Sequence, residues 1–179
     1  DSIKILTAAN QAKGIKITWQ KVAGANRYII YRNNNKVKTI SGGTTVSWAD
    51  TKADTDGVKY TYKVVAKAST GTSTLSRSAA IFRVSAPAIK SVKNTASKKA
   101  TVTWGRKLKT TGYEIQYSLK KNFSGANTAK IAGMTTVSKV IGNLAKGKIW
   151  YFRIRAVKKV DSTTYRSVWS SVKSIKITK

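Results

Sequence analysis

The 179-residue sequence has no cysteine and no histidine, a single proline, a single glutamate, and only six acidic residues against 35 lysines and arginines. Without cysteine there are neither disulfides nor thiolate metal sites, so the fold must stand on its apolar core alone. The same absence permits secretion without requiring it. Without histidine the chain lacks the side chain that most often serves as general base, proton shuttle or zinc ligand near neutral pH, which removes most hydrolase templates. No stretch approaches the roughly 18 consecutive apolar residues of a membrane span, so no membrane insertion is expected. Asp1-Ser2-Ile3 has neither the basic nor the apolar region of a secretory leader and no initiating Met. The sequence therefore reads as a piece of a longer protein whose signal and anchor lie outside it.

What is present is enough to fold. Hydrophobic residues make up 41% of the chain, above the range of disordered sequences, and the length suits two small sandwich domains rather than one. An internal repeat supports that division. Ile15-Lys16-Ile17-Thr18-Trp19 recurs as Ala100-Thr101-Val102-Thr103-Trp104, and Tyr28 recurs as Tyr113, both at an offset of 85. Further on, the run from Gly57 to Ala66 matches the run from Gly147 to Ala156 at an offset of 90. The second repeat thus carries about five extra residues, expected around Lys120 to Asn127.

Within each repeat apolar residues alternate with Lys, Thr and Ser, as in Tyr60/Tyr62/Val64/Ala66 and Trp150/Phe152/Ile154/Ala156. A period of two marks strands with one buried face. Turn clusters such as Asn33-Asn34-Asn35, Asp54-Thr55-Asp56-Gly57 and Ser124-Gly125-Ala126-Asn127 separate them. The expected fold class is all-β, two tandem antiparallel β-sandwiches of about seven strands each. The sole proline, Pro87, falls where the last strand of one repeat should give way to the first of the next. The expected domains are residues 1–86 and 87–179.

These features resemble the fibronectin type III family over essentially the whole chain. The resemblance implies buried signature residues at Trp19 and Trp104 on the second strand and at Tyr28 and Tyr113 on the third. The family's Leu-x-x-Gly-x-x-Tyr signature is similar to Leu144-Ala145-Lys146-Gly147-Lys148-Ile149-Trp150. The first repeat keeps Gly57 and Tyr60 but has Asp54 at the Leu position. In the family the corner Tyr donates its hydroxyl to backbone, a role the resemblance gives to Tyr60; Trp150 departs from it, although an indole N–H is also a donor. The Lys-rich composition and the ending Ser167-Val168-Trp169-Ser170 are similar to repeats of secreted or wall-attached proteins of Gram-positive, gut clostridial-type bacteria. There such repeats serve as spacers, adhesin modules or accessories to carbohydrate-active enzymes, which implies an extracellular location. The scaffold itself does not specify function.

The charge is uneven. Before Pro87 there are 14 basic and 4 acidic residues, after it 21 and 2, so the second repeat is nearly twice as positive. Such a field attracts polyanions: an anionic glycan, a cell-wall polymer, or an acidic host surface protein, with immunoglobulin among the host candidates. The plainer account is that lysines occupy the outward half of each strand and guard the edges. Only 8 of the 35 basic residues are Arg, so nucleic acid is expected to bind only unspecifically. The chain alone is expected to be a monomer, and no cofactor is implied.

Arg153 and Arg155 alternate with Phe152 and Ile154 and so face outward, where Trp169 is placed to stack between their guanidinium groups. That arrangement reads as a structural ladder, with a ligand-stacking face as the alternative. Trp48 parallels a core position, with an exposed sugar-stacking face as its alternative. Asp54-Thr55-Asp56-Gly57 resembles part of a calcium loop, but Lys52 and Lys63 stand where oxygen ligands belong, so a turn is expected and no metal. Ser118-Leu119-Lys120-Lys121 and Ser170-Ser171-Val172-Lys173 fit Ser-x-x-Lys at strand ends, where chance explains them. Glu114 is expected to face solvent, with no second carboxylate to form a glycosidase pair. No catalytic residue is expected. Asn122-Phe123-Ser124 is a glycosylation sequon that matters only in a eukaryotic source.

Overall fold

A computed structural model describes residue 3, residues 5–71 and residues 73–179. Of the N-terminal residues read for a leader, Asp1 and Ser2 lie outside the described ones. Among the described residues every regular element is a strand: β1 (Ile5–Asn10), β2 (Ile15–Trp19), β3 (Ala25–Arg32), β4 (Asn35–Ser41), β5 (Ser47–Asp50), β6 (Lys59–Ala68), β7 (Ser73–Leu75) and β8 (Ala79–Phe82), then β9 (Ile89–Ala96), β10 (Lys99–Trp104), β11 (Gly112–Ser118), β12 (Asn127–Ala132), β13 (Ser138–Ile141), β14 (Ile149–Val160), β15 (Thr163–Arg166) and β16 (Lys173–Lys176). The chain divides into two compact units, Asp1–Arg83 and Val84–Lys179.

Each unit is an antiparallel sandwich with the same strand order. In the first, β1-β2-β5 form one sheet and β4-β3-β6 the other, with β7 and β8 sharing the far side of β6. In the second, β9-β10-β13 face β12-β11-β14, and β15 and β16 share the far side of β14. The last strand of each unit is therefore broken in two. Alternation fixes which face is buried: β6 and β14 bury every second residue from Tyr60 to Ala66 and from Trp150 to Ala156.

The signature residues occupy the core as expected. Trp19 meets Tyr28 edge-on at 5.4 Å and 61°, and Trp104 meets Tyr113 at 5.4 Å and 62°. In both units the tyrosine hydroxyl ties down the chain around it. Tyr28 accepts from the Val22 amide and donates to the Gly43 carbonyl, while Tyr113 accepts from the Lys107 amide and donates to the Met134 carbonyl. The indole N–H groups of Trp19 and Trp104 are buried without a hydrogen-bond partner, so these rings are held by packing rather than by polar bonds.

The corner residues behave differently from the family expectation. Tyr60 does not donate to backbone; its hydroxyl accepts a long bond, 3.4 Å, from the Thr55 amide. Trp150 does donate, from Nε1 to the Ala145 carbonyl at 3.4 Å. The same corner is closed with the donor reversed.

The third and fourth strands are joined differently in the two units. Asn33 and Asn34, both at positive φ (50° and 67°), make a tight turn between β3 and β4, a geometry Asn tolerates. Between β11 and β12 the chain instead runs through residues 119–126, which hold the extra residues of the second repeat. Truncating the shared core contact is expected to be severe: Trp104→Ala should lower the stability of the second unit by about 3–5 kcal/mol. Trp19→Ala should do the same to the first, each read as a fall in denaturant midpoint.

Candidate functional site

The outer face of the second unit carries a continuous stack. Along β14, Arg153 and Arg155 point away from the core. Beside them, residues 167–172 interrupt the last strand, and two serines replace the missing ladder. The Ala156 amide donates to Ser167 Oγ at 3.0 Å and the Ile154 amide to Ser170 Oγ at 3.1 Å. Both serine amides return the bond, Ser167 to the Ala156 carbonyl and Ser170 to the Ile154 carbonyl. Pinned on both sides, Trp169 lies against the arginines, its ring 4.7 Å from the Arg153 guanidinium carbon and 4.2 Å from that of Arg155.

The stack extends further than the sequence suggested. Phe123, delivered by the 119–126 loop, lies 4.2 Å from Arg153 on a ring face of its own and is buried. Its φ of 61° is a strained value for an aromatic residue, and burial against Arg153 holds it there. Gln116 accepts two bonds from Arg153, from Nε at 2.9 Å and Nη2 at 2.6 Å. Partial burial and the neighbouring Arg155 charge lower the Arg153 pKa, though a guanidinium remains protonated.

Glu114 corrects an expectation. Alternation places it on the outer face, but it is only 5% exposed, because Arg155 pairs with it at 2.6 Å and Arg166 at 3.4 Å. Two long arginines cover it, Arg155 from the adjacent β14 and Arg166 from β15 beyond it. Burial acts to raise its pKa, but the hydrogen bonds and charges of Arg155 and Arg166 outweigh that and hold it below the ordinary value. A groove of about 320 Å³ opens beside it, bordered by Lys130, Lys159 and Arg166.

The first unit distributes its charges the other way round. The outer-face row Glu114–Arg155 of the second unit corresponds to Ile29–Val65, flanked by exposed Leu75. Its ion pairs lie at the rims of the core instead. Asp50, almost fully covered, accepts two bonds from Nη1 of Arg32 at 3.0 and 2.8 Å, one from the Tyr62 hydroxyl at 3.0 Å and one from the Lys52 amide. Matched by register, the second unit has Tyr117, Ile141 and Phe152 at the positions of Arg32, Asp50 and Tyr62. Burial first, then the Asp50 charge and hydrogen bond, raise the Tyr62 pKa far above its ordinary value. At the other end, buried Arg83 binds Asp54 through Nε at 2.9 Å and Nη2 at 2.6 Å. The second unit has Ile177 and Leu144 there, both fully buried.

Trp48 is a second correction. It points inward, opposite buried Ile17, but it is only half-buried and stands outside the core. Trp48 lies on β5, the edge of its sheet, and a cleft rather than packed side chains borders it. Trp48 borders a cleft of about 270 Å³ with Arg32, Lys38, Asp50 and Lys52. The corresponding position in the second unit is exposed Lys139.

The remaining candidates are engaged in the fold. Asp54 accepts from the Gly14 amide as well as from Arg83; partial burial acts to raise its pKa, but these two partners keep it lowered. Ser118 Oγ accepts from the Lys120 amide, and Ser170 Oγ serves the broken strand. Asn122 accepts from the Ser124 amide within its turn.

Strand order, register and the Trp–Tyr pair together define the architecture. Each unit is a fibronectin type III-like sandwich. No family model matches the chain, and no curated protein matches it. Among solved structures, the FN1–FN3 domains of chicken CNTN1 are similar at 18% identity and a TM-score of 0.49, covering 99% of this chain and 68% of that one. A two-domain fibronectin type III segment of chicken tenascin is similar at 18% identity and a TM-score of 0.46, covering 98% of this chain and 99% of that one.

The lowered pKa of Glu114 ties stability to pH. Its contribution is present above the unfolded glutamate value of about 4.3 and is lost as pH falls through the lower folded value. Glu114→Gln should therefore destabilise the second unit at neutral pH by about 1–3 kcal/mol and flatten its stability profile below pH ~4.5. Denaturant unfolding across pH checks both. Trp169→Ala should cost about 2 kcal/mol, measured in the same way.

Proposed function

We propose that the chain is a non-catalytic spacer and interaction module of a larger secreted or cell-wall-attached protein of a Gram-positive, gut clostridial-type bacterium. One observation carries the reading: the carboxylates and serines singled out in the sequence as catalytic or metal-binding candidates are tied into the architecture. Glu114 is held by two arginines, Asp54 by Arg83 and the Gly14 amide, and Ser118 and Ser170 by backbone amides. A carboxylate saturated by structural cations is a poor general acid or base. The resemblance to surface-protein repeats supplies the extracellular location and the bacterial source.

A second reading, an adhesin that binds an anionic glycan, a cell-wall polymer or an acidic host surface protein directly, is favoured by the groove of the second unit. There Lys130, Lys159 and Arg166 surround a carboxylate already neutralised by its arginines, leaving excess positive charge on the more basic half of the chain. The two readings separate on salt. A spacer with a diffuse positive field is expected to bind heparin weakly and to elute by about 0.3 M salt, where the Debye length falls to roughly 6 Å. Saturable retention that survives such salt and is lost in a Lys130→Ser, Lys159→Ser variant would replace the spacer with a dedicated polyanion receptor.

A further inference from the structure

The first unit spends a buried ion pair where the second unit manages with apolar residues. Tyr117, Ile141 and Phe152 pack the same strand positions with Tyr117 and Phe152 stacked at 6.3 Å, so the fold itself does not call for Arg32, Asp50 and Tyr62. A buried ion pair is on average no better for stability than well-packed hydrophobic residues. What the polar triad does accomplish is to fix Arg32. Its Nη1 is held by both Asp50 oxygens, its guanidinium lies 5.9 Å from the Tyr60 ring, and Asp50 is itself held by Tyr62. Among the described residues Nε and Nη2 of Arg32 make no hydrogen bond, and the side chain remains 23% exposed. These two atoms form the edge on which a guanidinium takes a carboxylate in a two-pronged bond.

That residue borders the cleft beside Trp48, with Lys38 and Lys52 adding positive charge. Aromatic surface, a pre-oriented guanidinium and two lysines occur together here, whereas the matching positions of the second unit, Lys139 and Tyr117, lack both the indole and the arginine. At about 270 Å³ the cleft lies just under the usual range of about 300–1,000 Å³ for drug-sized ligands, which suits one sugar ring rather than a chain. Its two flanking strands, β4 and β5, are sheet edges, so their outward backbone N–H and C=O groups are available to hydroxyls.

From this combination we infer that the cleft of the first unit binds a single carboxylated sugar residue, the carboxylate on Arg32 and the ring on Trp48. The three surrounding cations outnumber the one carboxylate, Asp50, which already engages Arg32 through Nη1. Binding needs no rearrangement of Arg32, which the Asp50–Tyr62 pair orients in advance. The inference deepens the interaction half of the module reading and rests on it.

The test is a titration of the intact chain with sodium glucuronate, followed by NMR at the Trp48 indole N–H and the Arg32 Nε–H. Glucose serves as the ring without charge and sodium acetate as the charge without ring, all at constant ionic strength. Glucuronate is expected to shift both signals saturably, and the two controls to bind at least about tenfold more weakly, a difference of about 1.4 kcal/mol. Trp48→Ala and Arg32→Lys should each weaken glucuronate by a similar factor. Trp48→Lys, which installs the residue found at this position in the second unit, secures a folded variant and should abolish the preference for glucuronate over acetate. Equal shifts with glucose or acetate, or an unchanged affinity in Trp48→Lys, would overturn the assignment. Such a failure would leave the module reading standing, because that reading is tested by the Lys130→Ser, Lys159→Ser variant of the second unit, which leaves this cleft untouched.

Discussion

Both sandwiches depend on one contact, an indole on the second strand held edge-on against a tyrosine on the third. Trp19–Tyr28 and Trp104–Tyr113 agree to within a degree in angle, although the surrounding sequences differ at most positions. The contact joins the two sheets, since β2 and β10 belong to one and β3 and β11 to the other. In a chain without disulfides this junction must come from packing, and large aromatic rings supply the most buried area per residue. The unpartnered indole N–H groups are the cost of placing that ring at the centre of an apolar core. Each tyrosine hydroxyl then reaches past the core to two backbone groups, so the same pair also fixes the loops that flank it.

Around that fixed centre the two units differ in where they put charge. The first places carboxylates and arginines at the ends of its core and leaves Ile29, Val65 and Leu75 on the outer sheet face. The second fills the core ends with Ile141, Leu144 and Ile177 and lays arginines, a glutamate and Trp169 on the outside. Both arrangements satisfy the rule that a covered charge must be paired. They have different consequences for function. An ionic outer face is consumed in holding an irregular strand, whereas an ion pair at the core end holds an arginine still beside open solvent. The unit with the larger net charge is thus the one whose arginines on the sheet face are more fully committed, and the less basic unit holds an arginine with an unbonded edge.

The sequence pattern made the architecture legible because the period of two follows from strand geometry and the 85-residue repeat from two domains sharing one plan. Arg153, Arg155 and Trp169 were legible for the same reason: alternation gives the outward side, and the last strand must lie beside β14. Glu114 was not, because alternation says which face a residue takes but not whether two arginines from other strands will cover that face. Phe123 was hidden in a loop, where no periodicity applies and its contact with Arg153 depends on loop path. Trp48 was misplaced because alternation gives the side a residue faces but not whether a cleft opens beside it. Arg32 and Asp50 stand 18 residues apart on different sheets. The one available signal was comparative: in the repeat alignment, charged residues occupy positions that are apolar in the other copy.

The Asp50–Tyr62 pair orients Arg32 and leaves its Nε–Nη2 edge unbonded. Nitrogen relaxation at the arginine Nε–H groups measures this directly, with exposed Arg27 and Arg106 as internal references. Arg32 is expected to show an order parameter near the rigid value of about 0.85, with Arg27 and Arg106 below about 0.6, and an Nε–H that still exchanges with solvent. An Arg32 as mobile as Arg27 would contradict it, since a freely turning guanidinium would mean that Asp50 and Tyr62 do not orient it.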